Sequence, residues 1–307
     1  MNRCWSCAEP IAANARYHPR CLEQLFGAPT VPELDLDTAQ LHTLALAMVG
    51  HISISGVQKK LSVRLDGHRR TLQIAVDGAR YILKPQAGTF PQLPENEWLT
   101  QRLAALIGID VPPCALLALR DGSLAYVVRR FDRPEAGGKL AMEDFCQLAE
   151  LGPGAKYDAS AEQCAKLVRR YADEPLIELL KLYRQFVFAW WVGNGDMHLK
   201  NLALLRHQDG RYRLSPAYDQ LNTRLVLPDD RLALPVCGKR DNLKVETLRE
   251  LARRFGIGPR AAERVLREVR DALPQALERV AEAPLSAAMR ETYAATLRAR
   301  TPDLDEG

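Results

Sequence analysis

The sequence predicts an α+β protein in two lobes, a small, mainly β N-lobe at residues 51–131 and a larger helical C-lobe at 132–307. Short apolar or alternating runs broken by Asp-Gly pairs fill the first part, as strands joined by tight turns do. In the second part apolar residues recur every three and four positions, the helical period. Ahead of both lie a small cysteine-rich knob, residues 1–27, and a Pro- and acid-rich linker, residues 28–50.

With 307 residues, 47% of them hydrophobic, the chain can bury a sizeable core. Its 42 Lys+Arg against 38 Asp+Glu leave a net charge of +4, weak footing for direct nucleic-acid binding. The opening MNRCWSCAEP lacks the apolar core of a signal peptide, and the longest apolar stretch, Phe186–Val192, is too short for a bilayer. A cytoplasmic protein without membrane contact is expected. Seven cysteines, an odd number, then argue for thiols or metal ligands over disulfides.

Cys4, Cys7, His18 and Cys21 follow the spacing C-x2-C-x10-H-x2-C, which supplies two pairs of ligands from separate turns. This predicts a structural zinc site, and in so small a segment the metal would provide most of the folding free energy. The alternative is a set of incidental thiols on a frayed terminus. Cys114, Cys146, Cys164 and Cys237 are scattered and read as small buried hydrophobes.

Strands are expected in HISISGVQKKLSVRLDG and TLQIAVDGARYILKP, with turns at Asp66-Gly67 and Asp77-Gly78. A helix from Pro94 to Gly108 follows, with Trp98, Leu99, Leu103 and Leu106 on one face. CALLALR and LAYVVRRF, joined by Asp121-Gly122, complete the N-lobe. Beyond residue 131 the period predicts helices in MEDFCQLAEL, SAEQCAKLVRRY, EPLIELLKLYRQFVFAWWV and from Leu243 to Arg300. The charges of this last stretch read as a solvated helix face.

The densest chemistry is NGDMHLKN, residues 194–201, directly after an apolar helix. Asp196 and Asn201 are spaced D-x4-N. NLALLRH and RYRLSP then read as a hairpin hinged at QDG, and AYDQ sets Asp219 at the end of its second strand. Helix, D-x4-N loop, hairpin and Asp is the order a protein-kinase-like phosphotransferase needs. Asp196 would orient the attacking hydroxyl and accept its proton, while Asn201 and Asp219 would hold magnesium against nucleotide phosphates. Lys200, inside the loop, could neutralise charge on the transferred phosphoryl group. His198 reads equally as a structural hydrogen-bonding group or a phosphate contact.

In the N-lobe, Lys84 ends the strand RYILK, like the third-strand lysine of a kinase, or is an ordinary exposed lysine. Glu97 could pair with it or be a solvated glutamate near a helix start. SISGVQKK, residues 53–60, stands where a phosphate-covering loop belongs. Gly56 would permit close backbone approach, and Lys59 and Lys60 would supply positive charge.

Taken in order, SISGVQKKLSV, YILKP, ENEWLTQRLA, VVRRFDR, GNGDMHLKN and SPAYDQ resemble the HipA family of bacterial Ser/Thr kinase toxins, over about residues 50 to 300. The resemblance implies a catalytic base at Asp196 and magnesium ligands at Asn201 and Asp219, with Lys84 on the ATP phosphates. It implies an ATP loop at Ser55, Gly56, Val57, Gln58, Lys59 and Lys60, and an adenine hinge at Arg129, Arg130 and Phe131. His198, Lys200 and Tyr218 would line the nucleotide site, and Ser53 and Ser55 would be autophosphorylated.

Full-length HipA proteins carry an N-terminal subdomain ahead of this loop, where the present chain has room only for the knob and linker. That is similar to the HipT-type kinases of three-gene systems, in which a small HipS protein supplies the subdomain. The resemblance thus implies a HipS-like antitoxin and a HipB-like DNA-binding protein as partners, DNA being reached only through the latter. It also implies an aminoacyl-tRNA synthetase as substrate. The cysteine knob is not part of the HipA kinase core. Alternatives on the same scaffold are a small-molecule or lipid kinase, and a pseudokinase serving as a binding module in a repressor complex.

Overall fold

The computed structural model describes residues 2–47, 59–68, 70–75 and 77–302. The chain divides into two compact units, the first comprising Met1–Arg102, Pro112–Phe131 and Glu282–Ser286. In chain order this unit contains β1 (Asn2–Arg3), β2 (Pro10–Ile11), α1 (Pro19–Phe26), α2 (Thr38–Ala47), β3 (Leu61–Leu65), β4 (Leu72–Ile74) and β5 (Tyr81–Pro85). There follow α3 (Leu93–Leu106), whose last turn belongs to the second unit, β6 (Cys114–Ala118) and β7 (Leu124–Arg129). Strands β3 to β7 form one antiparallel sheet in the order β4-β3-β5-β7-β6. The chain turns where these Asp-Gly pairs predict: Gly122 in the β6–β7 hairpin and Gly78 in the connection from β4 to β5, strands that flank β3, have φ of 81° and 68°, which only glycine adopts without strain.

Side chains alternate across a strand, so Tyr81, Leu83, Ala115, Leu117, Ala125 and Val127 share one face of this sheet. That face packs into one core with Leu22, Leu25 and Phe26 of α1 and Leu41 of α2. The rings of Phe26 and Tyr81 lie 5.5 Å apart. Lys84, Cys114, Leu116 and Tyr126 stand on the opposite face. Two expectations change here. The knob, expected to draw most of its folding free energy from metal, also buries the apolar face of α1 against the sheet. The stretch read as a linker holds α2, whose Leu41 and Ala45 are four residues apart and buried, a helical signal hidden behind the Pro- and acid-rich start.

Different parts of the N-terminal segment cover the two sheet edges. On β6, the Leu116 N–H donates to Trp5 O at 3.0 Å. The Tyr17 hydroxyl donates to Leu116 O at 2.6 Å, and Ser6 Oγ to Cys114 O at 2.9 Å. On β4, the Leu72 N–H donates to Glu33 O at 2.9 Å, and the Glu33 N–H to Arg70 O at 2.6 Å. Unpaired edge groups invite pairing with other chains, and residues 1–37 blunt that hazard.

The second unit is Leu103–Val111, Asp132–Ala281 and Ala287–Gly307. It contains β8 (Met142–Asp144), α4 (Phe145–Leu148), α5 (Ala161–Tyr171), α6 (Pro175–Val192), β9 (Ala203–Arg206), β10 (Tyr212–Leu214), α7 (Val245–Arg254), α8 (Pro259–Ala281) and α9 (Ala287–Arg300). Helix α6 is apolar all round its second half, from Phe186 to Val192, and is buried there accordingly. The Phe255 ring meets Tyr183 and Phe186 edge-on at 6.5 and 6.2 Å. Helix α8 buries Ala262, Val265, Leu266, Val269, Ala272, Ala276 and Val280, the stripe its period predicts.

MEDFCQLAEL departs from the helix expected of it. Met142–Asp144 pair with β9, giving the sheet β10-β9-β8, and only Phe145–Leu148 are helical. Asp144 starts that helix in a reciprocal capping box with Gln147. The free edge of β9 supplies partners that no local pattern encodes. Among the described residues no helix is long and apolar enough to cross a membrane.

Candidate active site

The loop after α6 is shaped by two glycines with different tasks. Gly193 ends the helix in the left-handed conformation, φ 74°, and its N–H caps Trp190 O at 3.2 Å. At Gly195 a Cβ would lie 2.0 Å from Asp230 Oδ2 and 2.5 Å from Arg231 O, so any side chain is excluded by close packing. Between them Asn194, fully buried, accepts the Asp196 N–H on Oδ1 at 3.0 Å and donates to Gln220 Oε1 at 3.1 Å. The Gly195 N–H donates to Thr223 Oγ1 at 2.8 Å. These bonds splice the loop to residues 218–223, the segment that carries Asp219.

Within the loop, Asn201 Nδ2 donates to Asp196 O at 2.9 Å, as does the His198 N–H at 2.8 Å. With its amide nitrogen so engaged, Asn201 turns to a cation only through Oδ1, the hard ligand that magnesium takes. The Tyr218 hydroxyl donates to Lys200 O at 2.8 Å, tying the residue before Asp219 to the loop. Asp219 lies beyond β10 rather than at its end, half-buried, at φ 54°; a non-glycine residue in that region is strained. An amide oxygen and a carboxylate on two cross-linked segments make a donor set that suits magnesium.

The Asp196 side chain is 44% exposed, as a group that must meet a substrate should be. The Tyr157 hydroxyl donates to its Oδ1 at 3.0 Å, and His198 Nε2 lies 3.8 Å from the same oxygen. Burial, then the Asp196 charge, push the Tyr157 phenol up to about 12, so it remains a donor. Lys156 Nζ donates to His198 Nε2 at 2.9 Å, which leaves the imidazole neutral with its proton on Nδ1. Burial first, and the Lys156 charge after it, hold His198 below the usual imidazole range despite Asp196. Lys200 is half-buried in the short 3₁₀ turn Leu199–Asn201. Tyr157, Lys156, Asn194, Gln220 and Thr223 were not singled out from the sequence: apart from Asn194 they lie outside the loop, far along the chain from the loop residues they bond.

In the first unit, Lys84 Nζ donates to Glu97 Oε1 at 2.6 Å, with side chains only 7% and 2% exposed. Of the readings open for these residues, the paired one holds, and the Lys84 charge also lies 5.7 Å from the Tyr126 ring centre. Lys59 and Lys60 lead, half-buried, into β3. The Arg129 guanidinium donates to Gln24 O at 3.0 Å and the Arg130 N–H to Arg80 O at 2.8 Å. Phe131 is the last residue of the unit before the chain passes to Asp132. Ser53, Ser55, Gly56, Val57 and Gln58 lie outside the described residues. The ligating atoms of Cys4, Cys7, His18 and Cys21 all fall within 4.8 Å of one another. A hydrogen bond with the Cys7 thiol holds Cys4 down to about 4 and pushes Cys7 up.

Fold and residue order define a family. The chain belongs to the HipA-like C-terminal domain family, whose model matches residues 52–277. It is 32% identical over 244 residues to the Sinorhizobium fredii protein named "Putative kinase Y4mE", covering 75% of this chain and 57% of that one. It is 27% identical over 227 residues to a Haemophilus influenzae protein named "Putative kinase", covering 68% and 65%. The match thus spans less than two thirds of either relative. Among solved structures it superposes with TM-score 0.70 on a chain from the Shewanella oneidensis MR-1 toxin–antitoxin complex of HipA, HipB and operator DNA. That match is 18% identical and covers 95% of this chain and 79% of the other, so the fold is shared where the sequence has diverged.

Proposed function

We propose that the chain is a cytoplasmic, ATP- and magnesium-dependent serine/threonine protein kinase acting as the toxin of a toxin–antitoxin system. The observation that carries this reading is the loop in which Asp196 O anchors the Asn201 amide while Tyr218 ties the same loop to the segment of Asp219. Base and metal ligands are thereby held within one unit, and positioning is most of what phosphoryl transfer requires of a protein.

Asp196 accepts the proton of the acceptor hydroxyl; the hydroxyl oxygen then bonds to the γ-phosphorus of ATP as the bond from that phosphorus to the departing ADP oxygen breaks. Magnesium, when bound by Asn201 Oδ1 and the Asp219 carboxylate, supplies charge neutralisation to the phosphates. Lys84, oriented by Glu97, contacts the phosphates, and Lys200 meets charge on the transferred group. Lys59, Lys60 and the loop from Ser55 cover the nucleotide, and Arg129–Phe131 carry its adenine. Family membership supports a kinase; the protein acceptor, an aminoacyl-tRNA synthetase, and modification of Ser53 and Ser55 in cis rest on the motif resemblance to HipA kinases. The fold shared with a HipA found with HipB and operator DNA supports a HipB-like partner, and a HipS-like one rests on the resemblance to HipT-type kinases. Phosphoproteomics after brief expression, with Asp196→Ala as control, tests the reading. A synthetase serine and Ser53 or Ser55 should gain phosphate only with the intact chain, and equal growth arrest by the Asp196→Ala chain would show the mechanism to be wrong.

A further inference from the structure

The cysteine cluster takes no part in phosphoryl transfer, yet it stands where the first unit closes its sheet. The groups that cover β6 come from residues set between or beside its four ligating side chains. Trp5 O and Ser6 Oγ lie on the turn from Cys4 to Cys7, and Tyr17 precedes His18. They meet Cys114 O and both backbone groups of Leu116, which are two residues apart. Alternate residues of a strand point their N–H and C=O to the same edge, so the turn completes the ladder as a neighbouring strand would.

The cluster itself has the dimensions of a metal centre. Zinc bonds of about 2.3 Å to sulfur and 2.0–2.1 Å to nitrogen, set tetrahedrally, place neighbouring ligand atoms roughly 3.6 Å apart. Cys7 Sγ and His18 Nδ1 are 3.4 Å apart. The other ring nitrogen, Nε2, lies 3.2 Å from Pro10 O, the kind of outer bond that orients a ligating imidazole. The His18 N–H donates to Cys4 Sγ at 3.4 Å, which favours a thiolate there. Cys4 and Cys21 are buried, while Cys7 and His18 are partly exposed and leave an entry path. Three sulfurs and one imidazole select zinc over the harder divalent ions.

We propose that Cys4, Cys7, His18 and Cys21 hold one structural zinc ion whose role is to clasp the β6 edge of the sheet. Four bonds to one ion lock the Cys4–Cys7 turn against His18, and the locked turn presents Trp5 O, Ser6 Oγ and the Tyr17 hydroxyl to β6 together. Without the ion the Trp5 N–H bond to Arg16 O at 2.8 Å and the Trp5–Tyr17 ring contact still join the two halves, but they do not fix the turn, and the edge opens more often.

The test uses the full chain and reads metal and hydrogen exchange rather than activity, so it stands apart from the kinase reading. Protein purified without chelator should carry one zinc per chain by elemental analysis, and Cys4→Ser should lose it. Stripping zinc from the wild-type chain under reducing conditions should speed exchange of the Leu116 amide on the order of tenfold or more, since three edge hydrogen bonds open together. The Leu83 amide of the interior strand β5 should stay protected, and added zinc should restore Leu116. The stripping arm decides the matter if Cys4→Ser does not fold. Reduced wild-type chain without zinc would overturn the site, and Leu116 exchange unchanged by stripping would overturn the clasp.

Discussion

Lys84 and Glu97 in the first unit, and Asp196 in the second, are charged groups in opposite settings. The first two face each other at 2.6 Å with almost no exposure, so each offsets part of the other's burial cost. Asp196 keeps 44% of its side chain in solvent and is steadied by one phenolic hydroxyl and by backbone bonds around it. The difference separates two kinds of work. A group that positions others is locked by burial, where strength and geometry are greatest. A group that must exchange a proton with an incoming substrate stays accessible, and its surroundings are fixed instead.

The largest effect expected from this contrast is chemical. Asp196→Asn should lower phosphoryl transfer by about 10²–10⁴-fold, the usual contribution of a general base, while thermal melting stays close to that of the wild type. A large loss of melting temperature would show that Asp196 supports the fold. Next comes Glu97→Ala, which takes the carboxylate from the buried Lys84 charge and should cost about 3–5 kcal/mol of stability by urea titration. Replacing both, Lys84→Met with Glu97→Leu, should recover much of that stability and none of the activity. Recovery of activity would place Lys84 outside the nucleotide site.

Glu95 gives the contrast a pH dependence. It is buried in the first turn of α3 with Oε2 unpartnered, and burial pushes its carboxyl up to about 7 from an ordinary 4.5. Between those values the folded chain holds a proton that the unfolded chain has released. Its contribution is therefore complete below pH 4.5 and is lost as pH rises through 7. Glu95→Gln should then stabilise the protein at pH 8 by on the order of 1–3 kcal/mol and leave it unchanged at pH 4. Equal stability of the two chains at pH 8 would mean that Glu95 is solvated when ionised.

The smallest effect is expected at Tyr157. Its hydroxyl donates to Asp196 Oδ1, the oxygen of the proposed base, and the residue is 39% exposed. Tyr157→Phe should change the acceptor KM by about two- to tenfold, the range of a single hydrogen bond, with little change in kcat or stability. A fall in kcat with KM unchanged would instead make Tyr157 a positioning residue for Asp196.

The sequence by itself determined the features whose cause is local. Helical period set α5, α6 and α8; Asp-Gly pairs set the hairpins; D-x4-N and C-x2-C-x10-H-x2-C set which side chains could converge over a few residues. It also brought Lys84 and Glu97 forward as a pair, because a strand end and the following helix are close along the chain. Tertiary structure alone decided what depends on distant partners. Met142–Asp144 became a strand because β9 offered a free edge about sixty residues later, a choice that an apolar period cannot encode. Gly195 is required by Asp230 and Arg231, and Asp196 is steadied by Tyr157. The knob and the supposed linker became the covers of a sheet whose edge strands lie far along the chain from them. A backbone group left unpaired at an edge is satisfied by whatever the fold brings there, and a list of neighbours in sequence does not contain that answer.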